Sequence, residues 1–200
     1  MPLEIDANLN RELVPLSWLI GSWEGVGVVG YPGTPEKQFG QRVDFTVPGD
    51  VPYLAYSAHA WTLDEDGTPA DTLSIETGIW QLVRDRQDFD AGPGLMVPTG
   101  ESPYTTAEAV EGLRNDNGDF DLDVSIVHPN GIMELYAGRV NGPRIDLSTD
   151  VVARTRSAKE YTASTRMYGL VNGELMWAWD MAALGTELTS HASARLKKVS

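Results

Sequence analysis

At 200 residues, with 42% hydrophobic and 22% charged side chains, the chain has the balance of a soluble globule and suits one domain with a sizeable core. Its 29 acidic against 15 basic side chains, a formal net charge of −14, repel phosphate backbones and anionic lipid heads, which argues against nucleic acid and membrane surfaces as partners. Cysteine is absent, and with it go disulfide frameworks, thiolate nucleophiles, iron–sulfur clusters and cysteine zinc sites.

The stretch from Met1 to Asp6 is acidic and has no basic region leading into an apolar core. No run approaches the roughly 20 apolar residues of a membrane helix, so the expected address is cytoplasmic. From Asp6 to Ile20 the pattern reads as an arm and a short helical turn, with Leu13, Leu16, Trp18, Leu19 and Ile20 able to cap one end of a barrel. A strand follows in which Trp23, Gly25 and Gly27 share one face. Glycines on that face leave room for a neighbouring backbone, a sharp bend or a flat ligand, and closure of a small barrel is the favoured reading.

Tyr31-Pro32-Gly33-Thr34-Pro35 reads as a loop, because two prolines flanking a glycine do not suit a ladder. Strands resume near Gln38, and alternation from Gln41 to Val47 turns at Pro48-Gly49-Asp50 into a strand from Tyr53 to Leu63. Thr72 to Arg84 is the next, with Ser74, Glu76, Gly78, Trp80 and Leu82 on one face. Between residues 88 and 121 the pattern breaks; Thr106 can cap a brief helix from Ala107 to Leu113, and the segment is a solvated loop or a lid. Asn130-Gly131, Asn141-Gly142 and Asn172-Gly173 then mark tight hairpins between strands Asp123–Val127, Ile132–Val140, Ile145–Ala153, Tyr161–Val171, Glu174–Ala183 and Ser190–Val199. The expected fold is all-β: a closed antiparallel up-and-down barrel of about ten strands over residues 1–200 as one domain.

Leu175, Trp177, Trp179, Met181 and Ala183 share an apolar face that points inward in a barrel and suits either a packed core or a flat aromatic guest. Only three histidines exist. His59 reads as a polar member of an outer face, and His128, before Pro129, as a solvent-facing or turn-bonding residue. His191 opens the last strand among the small residues Ala192, Ser193 and Ala194, and by itself is a weak ligand candidate. The aspartates and glutamates read mostly as solvated surface. No phosphate loop and no nucleophile elbow occurs, so nucleotide and hydrolase readings lack support.

Gly21-Ser22-Trp23-Glu24-Gly25-Val26-Gly27 fits a G-x-W-x-G-x-G signature, with Gly21, Trp23, Gly25 and Gly27 as its fixed positions. Together with Tyr31-Pro32, Glu76-Thr77-Gly78, His128 to Ile132, Ser157 to Glu160 and the tail from Met181 to Val199, it resembles the nitrobindin family over most of the chain. The resemblance implies a barrel related to fatty-acid-binding proteins that holds haem b through one histidine. That histidine is His191, about ten residues after a pocket methionine, Met181. The resemblance further implies a ferric haem that isomerises peroxynitrite to nitrate and binds nitric oxide when reduced, with His191 as metal ligand and catalytic residue.

Two departures stand out. Many relatives carry threonine directly after Tyr-Pro, placed against the haem, whereas here Gly33 takes that place and Thr34 follows. Relatives often read His-x-Glu where this chain has Ser74-Ile75-Glu76, which weakens or removes a polar contact from that position. Compared with the family, residues 88–121 read as an insertion. The competing reading is a non-catalytic carrier of a fatty acid, another lipid or haem, for which Arg42, Arg139, Arg154 and Arg166 are the candidate internal cations. A dimerising barrel with a collapsed interior is a third reading, and a homodimer stays open as an assembly.

Overall fold

The computed structural model describes residues 8–200. Its ten strands are β1 (Gly21–Tyr31), β2 (Thr34–Thr46), β3 (Tyr53–Leu63), β4 (Pro69–Leu82), β5 (Phe120–His128), β6 (Ile132–Asn141), β7 (Arg144–Arg154), β8 (Tyr161–Val171), β9 (Glu174–Ala183) and β10 (Thr189–Lys198). Each pairs antiparallel with the next, and β10 pairs back onto β1 to close the barrel.

Closure explains the glycine-rich strand. In the β1–β10 register Gly25 lies opposite Leu196 and Gly27 opposite Ala194. A Cβ on Gly25 would collide with the carbonyl oxygen of Arg195, and one on Gly27 with that of Ser193 and with the Phe39 ring. The two strands meet only because β1 carries no side chain there. Trp23, on the same face, is buried and donates its indole N–H to the Leu19 carbonyl at 2.7 Å, which ties the wall to the N-terminal plug.

That plug is a 3-10 helix, Arg11–Leu19, capped by the Asn10 side chain accepting from the Glu12 amide. Leu13, Leu16, Trp18 and Leu19 are buried under the barrel end formed by the start of β1 and the end of β4. Asp6 and Ala7 of the expected arm lie outside the described residues. Arg84, just past β4, bonds Glu12 at 2.5 Å and Asp90 through two contacts of 2.7 Å, clamping plug and 88–121 segment together. Within that segment Thr106 caps the short helix α1 (Ala107–Glu111), whose Val110 is buried. No residue of 88–121 lines the barrel cavity described below, so the segment is not a lid over it.

Two local expectations are corrected. The Tyr31–Pro35 loop shrinks to Pro32-Gly33, because Tyr31 pairs with Thr34 and a register shift after Val29 sets Pro35 and Glu36 opposite Gly30. A bulge is where a ladder tolerates proline. Of the three Asn-Gly pairs, only Asn172-Gly173 has both φ angles positive, at 53° and 79°. At Asn141-Gly142 the paired residues are Asn141 and Arg144, so the tight turn is Gly142-Pro143. At the third, only Gly131 is positive.

The interior is layered. Next to the plug, Phe45, Tyr56, Trp80 and Tyr168 pack ring against ring at 5.1–5.8 Å between centroids. A buried polar layer sits above them, and the far half of the barrel is hollow. Among the described residues no helix is long and apolar enough to cross a membrane.

Candidate functional site

The hollow is a cavity of ≈ 320 Å³ at the end of the barrel opposite the plug. Trp177, Trp179, Met181 and Ala183 of β9 line it, as the alternation of that strand demands, with Phe39, Ile132 and Ala192 on other walls. Trp177 donates its indole N–H to Gln41 at 2.8 Å, so this ring is held in place by β2.

His191 also lines the cavity, but not by simple alternation. Ala192, Ala194 and Leu196 are the buried inward residues of β10, which gives 191 an outward parity. The β9–β10 register, however, skips it: Ser190 pairs with Asp180 and Ala192 with Trp179. His191 is the extra residue of a bulge, and the bulge re-aims its side chain at the barrel rim. There Nδ1 lies 2.9 Å from the Gly30 carbonyl oxygen. A carbonyl only accepts, so Nδ1 carries the proton and Nε2 of the neutral ring keeps a lone pair. No described residue hydrogen-bonds Nε2. Burial lowers the pKa of His191 below the ordinary histidine value, against the opposing pull of the Gly30 bond, and so favours the neutral form. The imidazole is flanked edge-on by Trp179 at 5.0 Å on the cavity side and by Tyr31 at 5.7 Å.

Behind Trp179 lies a cluster that the sequence reading missed. Arg166 of β8 is buried, bonds both oxygens of Glu76 at 2.8 and 3.0 Å, and reaches Glu134 at 3.3 Å and Tyr136 at 2.9 Å. Its guanidinium stacks 4.0 Å from the Trp179 ring centroid. Glu134 also accepts from Ser164 at 2.9 Å and from Tyr161. Burial alone would raise both carboxyls. For Glu134 the bond from His128 and the charge of Arg166 prevail and hold it down to about 2, and for Glu76 the charge and bonds of Arg166 do the same in direction. Burial pushes the Tyr161 and Tyr136 phenols up, so both stay protonated donors.

His128 is therefore not a solvent-facing turn residue. It is buried, its Nε2 is 2.8 Å from Glu134, and its ring stacks on Trp179 at 6.0 Å. The two carboxylates facing inward had drawn it in from the end of β5. His59 does sit on the outer face, bonded to Thr72 at 3.1 Å. Glu76 and Glu134 depart from the expectation of solvated acids. Their inward parity was readable, since Glu76 shares a face with Trp80 and Leu82, and Glu134 with Tyr136 and Val140. Of the four candidate arginines only Arg166 turns inward; Arg42, Arg139 and Arg154 are exposed.

The structure thus brings His191 and Met181 to one cavity and leaves Thr34 out of it. The Thr34 hydroxyl instead closes the β1–β2 turn, donating to the Tyr31 carbonyl at 2.8 Å and accepting from the Tyr31 amide at 3.0 Å. Gly21, Trp23, Gly25 and Gly27 serve closure and plug contacts, and none of them lines the cavity.

Residues 12–198 match the model of the THAP4-like, heme-binding beta-barrel domain. A protein of Leifsonia xyli subsp. xyli named peroxynitrite isomerase is 59% identical over 98% of both chains. One of the same name from Kocuria rhizophila is 51% identical, covering 100% of this chain and 96% of its own. The crystal structure of Rv2717c from M. tuberculosis superposes with a TM-score of 0.69 at 25% identity, covering 96% of this chain and 99% of that one. The match spans the barrel from the plug to the last strand, and the chain belongs to the THAP4-like, heme-binding beta-barrel family, the nitrobindins.

Proposed function

We propose that this chain binds haem b through Nε2 of His191 and isomerises peroxynitrite to nitrate. The residues fit a haem: a neutral imidazole with an unclaimed nitrogen stands at the edge of an apolar cavity walled by indoles and a methionine. That unclaimed nitrogen, fixed by the Gly30 contact, is the observation that carries the reading. The names of the relatives at 51–59% identity support the reaction.

When bound, haem would supply a redox-active iron able to take a small ligand. Peroxynitrite and nitrate contain the same atoms and carry the same charge, so the chain need deliver no proton. His191 would hold the iron from one side. Trp177, Met181, Phe39 and Ile132 would exclude water and keep the reacting atoms confined. Arg166 stacks on Trp179 and is held by Glu76 and Glu134, which fixes that face of the wall. Nitric oxide binding to the reduced iron is proposed alongside, and a cytoplasmic setting is proposed on the cysteine-free composition, since small secreted domains commonly rely on disulfides.

A fatty-acid carrier is the weaker reading. Such a carrier would offer an internal cation to a carboxylate, and the inward arginine here is already committed to Glu76 and Glu134. Stopped-flow decay of peroxynitrite with nitrate yield, measured on haem-loaded wild type and His191→Ala, separates the readings. Faster decay by wild type alone supports the enzyme, and equal rates refute it.

A further inference from the structure

We propose that the peptide unit joining Gly30 to Tyr31 is the positioning element for His191, and that Thr34 and Tyr31 are the residues that hold it. The inference rests on the reading of His191 as the haem ligand and concerns how that ligand is aimed. Nothing in the fold of β10 alone can do this, because His191 sits on a bulge, outside the ladder that fixes its neighbours.

A peptide bond is planar, so fixing its N–H side fixes the direction of its C=O. Both sides of this unit are engaged. The Tyr31 amide donates to the Thr34 hydroxyl at 3.0 Å, and the Gly30 carbonyl accepts from His191 Nδ1 at 2.9 Å. Thr34 turns its own proton to the Tyr31 carbonyl at 2.8 Å, so its hydroxyl is oriented to accept. The unit is the place where β1 and β2 leave regular pairing, and a Cβ on Gly30 would come within 2.9 Å of the Glu36 side chain.

Tyr31 supplies the second anchor. Its phenol reaches across the start of β10 to β9, where the hydroxyl accepts from the Ala183 amide at 2.9 Å and shares its proton between the carbonyls of Ala183 and Met181 at 3.1 and 3.2 Å. One side chain thus staples the two strands that flank β10 at the level of the bulge. Its ring lies edge-on to the imidazole at 5.7 Å and, unlike Trp179, does not line the cavity. The imidazole is therefore set in rotation by two rings and in tautomer by one carbonyl, and that carbonyl is aimed by Thr34. This gives Thr34 a role through the backbone although it does not line the cavity.

The test uses Thr34→Val, Thr34→Ser and Tyr31→Phe. With only three histidines, ring nitrogen correlations by NMR on the haem-free protein resolve each tautomer. Wild type and Thr34→Ser are expected to show His191 as a single Nδ1–H tautomer, and Thr34→Val and Tyr31→Phe a mixture. After hemin loading, transfer to apomyoglobin should be roughly tenfold faster in those two variants, the usual cost of losing a ligand's supporting hydrogen bond. The Fe–His stretching frequency of the reduced form should shift with it. A single tautomer and unchanged haem retention in both variants would overturn the proposal. Should Tyr31→Phe fold poorly, amide exchange in wild type still decides: a protected Ala183 amide supports the staple, and unprotected exchange refutes it. If wild type takes up no hemin, the haem reading fails while the tautomer comparison still judges the positioning claim.

Discussion

Arg166 grips Glu76 through two hydrogen bonds of 2.8 and 3.0 Å, and both side chains are buried in the barrel interior. A buried charge pair is costly to assemble and more costly to break, because the survivor is left unpaired. Arg166→Met should therefore destabilise the protein by about 3–5 kcal/mol in urea unfolding. Adding Glu76→Gln and Glu134→Gln to it should recover part of that loss. Recovery of nothing would mean that the arginine acts by filling space.

The same cluster sets an acid limit. Glu134 has its pKa lowered from 4.5 to about 2, and Glu76 is lowered as well. Carboxylates depressed in the folded state stabilise it fully above the unfolded value and progressively less as pH falls towards the folded one. Stability should hold from neutral pH to about 4.5 and fall between there and about 2. Thermal unfolding followed across pH 2–7 reads this directly, and Arg166→Met should flatten the curve.

Glycines at two positions should fail for different reasons. Gly25→Ala places a methyl group against the Arg195 carbonyl at the closing seam, where backbone must move. Overpacking of that kind costs about 1–3 kcal/mol, and the loss should come with faster amide exchange along β1 and β10. Gly33 has φ of +86° with open space around it, so Gly33→Ala costs only the strain of a left-handed residue, about 1–2 kcal/mol. Its effect on exchange should stay within the turn.

Arg84→Ala should separate the two ends of the molecule. It leaves Glu12 buried without its partner and frees Asp90, and it should cost about 3 kcal/mol in urea unfolding. Hemin uptake at the far end should be unchanged. A parallel loss of uptake would show that plug and cavity are coupled.

Much of this architecture was legible in the residues. Alternation in Leu175 to Ala183 predicts an inward apolar face, whose residues from Trp177 on line the cavity, and the glycine strand predicts a close approach that turned out to be the β1–β10 seam. Departures from period two were harder to foresee. Pro35 and His191 both sit in bulges, which depend on pairing with strands distant in sequence. The buried ion cluster was hidden for another reason: each charge lies on a face whose parity is readable, but the three come from β4, β6 and β8, and only the closed barrel brings them together. His128 followed its two acidic partners inward from a turn that locally suggests solvent.

The central claim is that Nε2 of His191, left free by the Gly30 bond, holds a haem. Titration of the haem-free protein with hemin, followed by the Soret band, tests it most directly. Wild type should develop a sharp band that saturates at one equivalent, and His191→Ala, with its barrel intact by circular dichroism, should not. The same one-to-one band in His191→Ala, or none in wild type, would contradict the account.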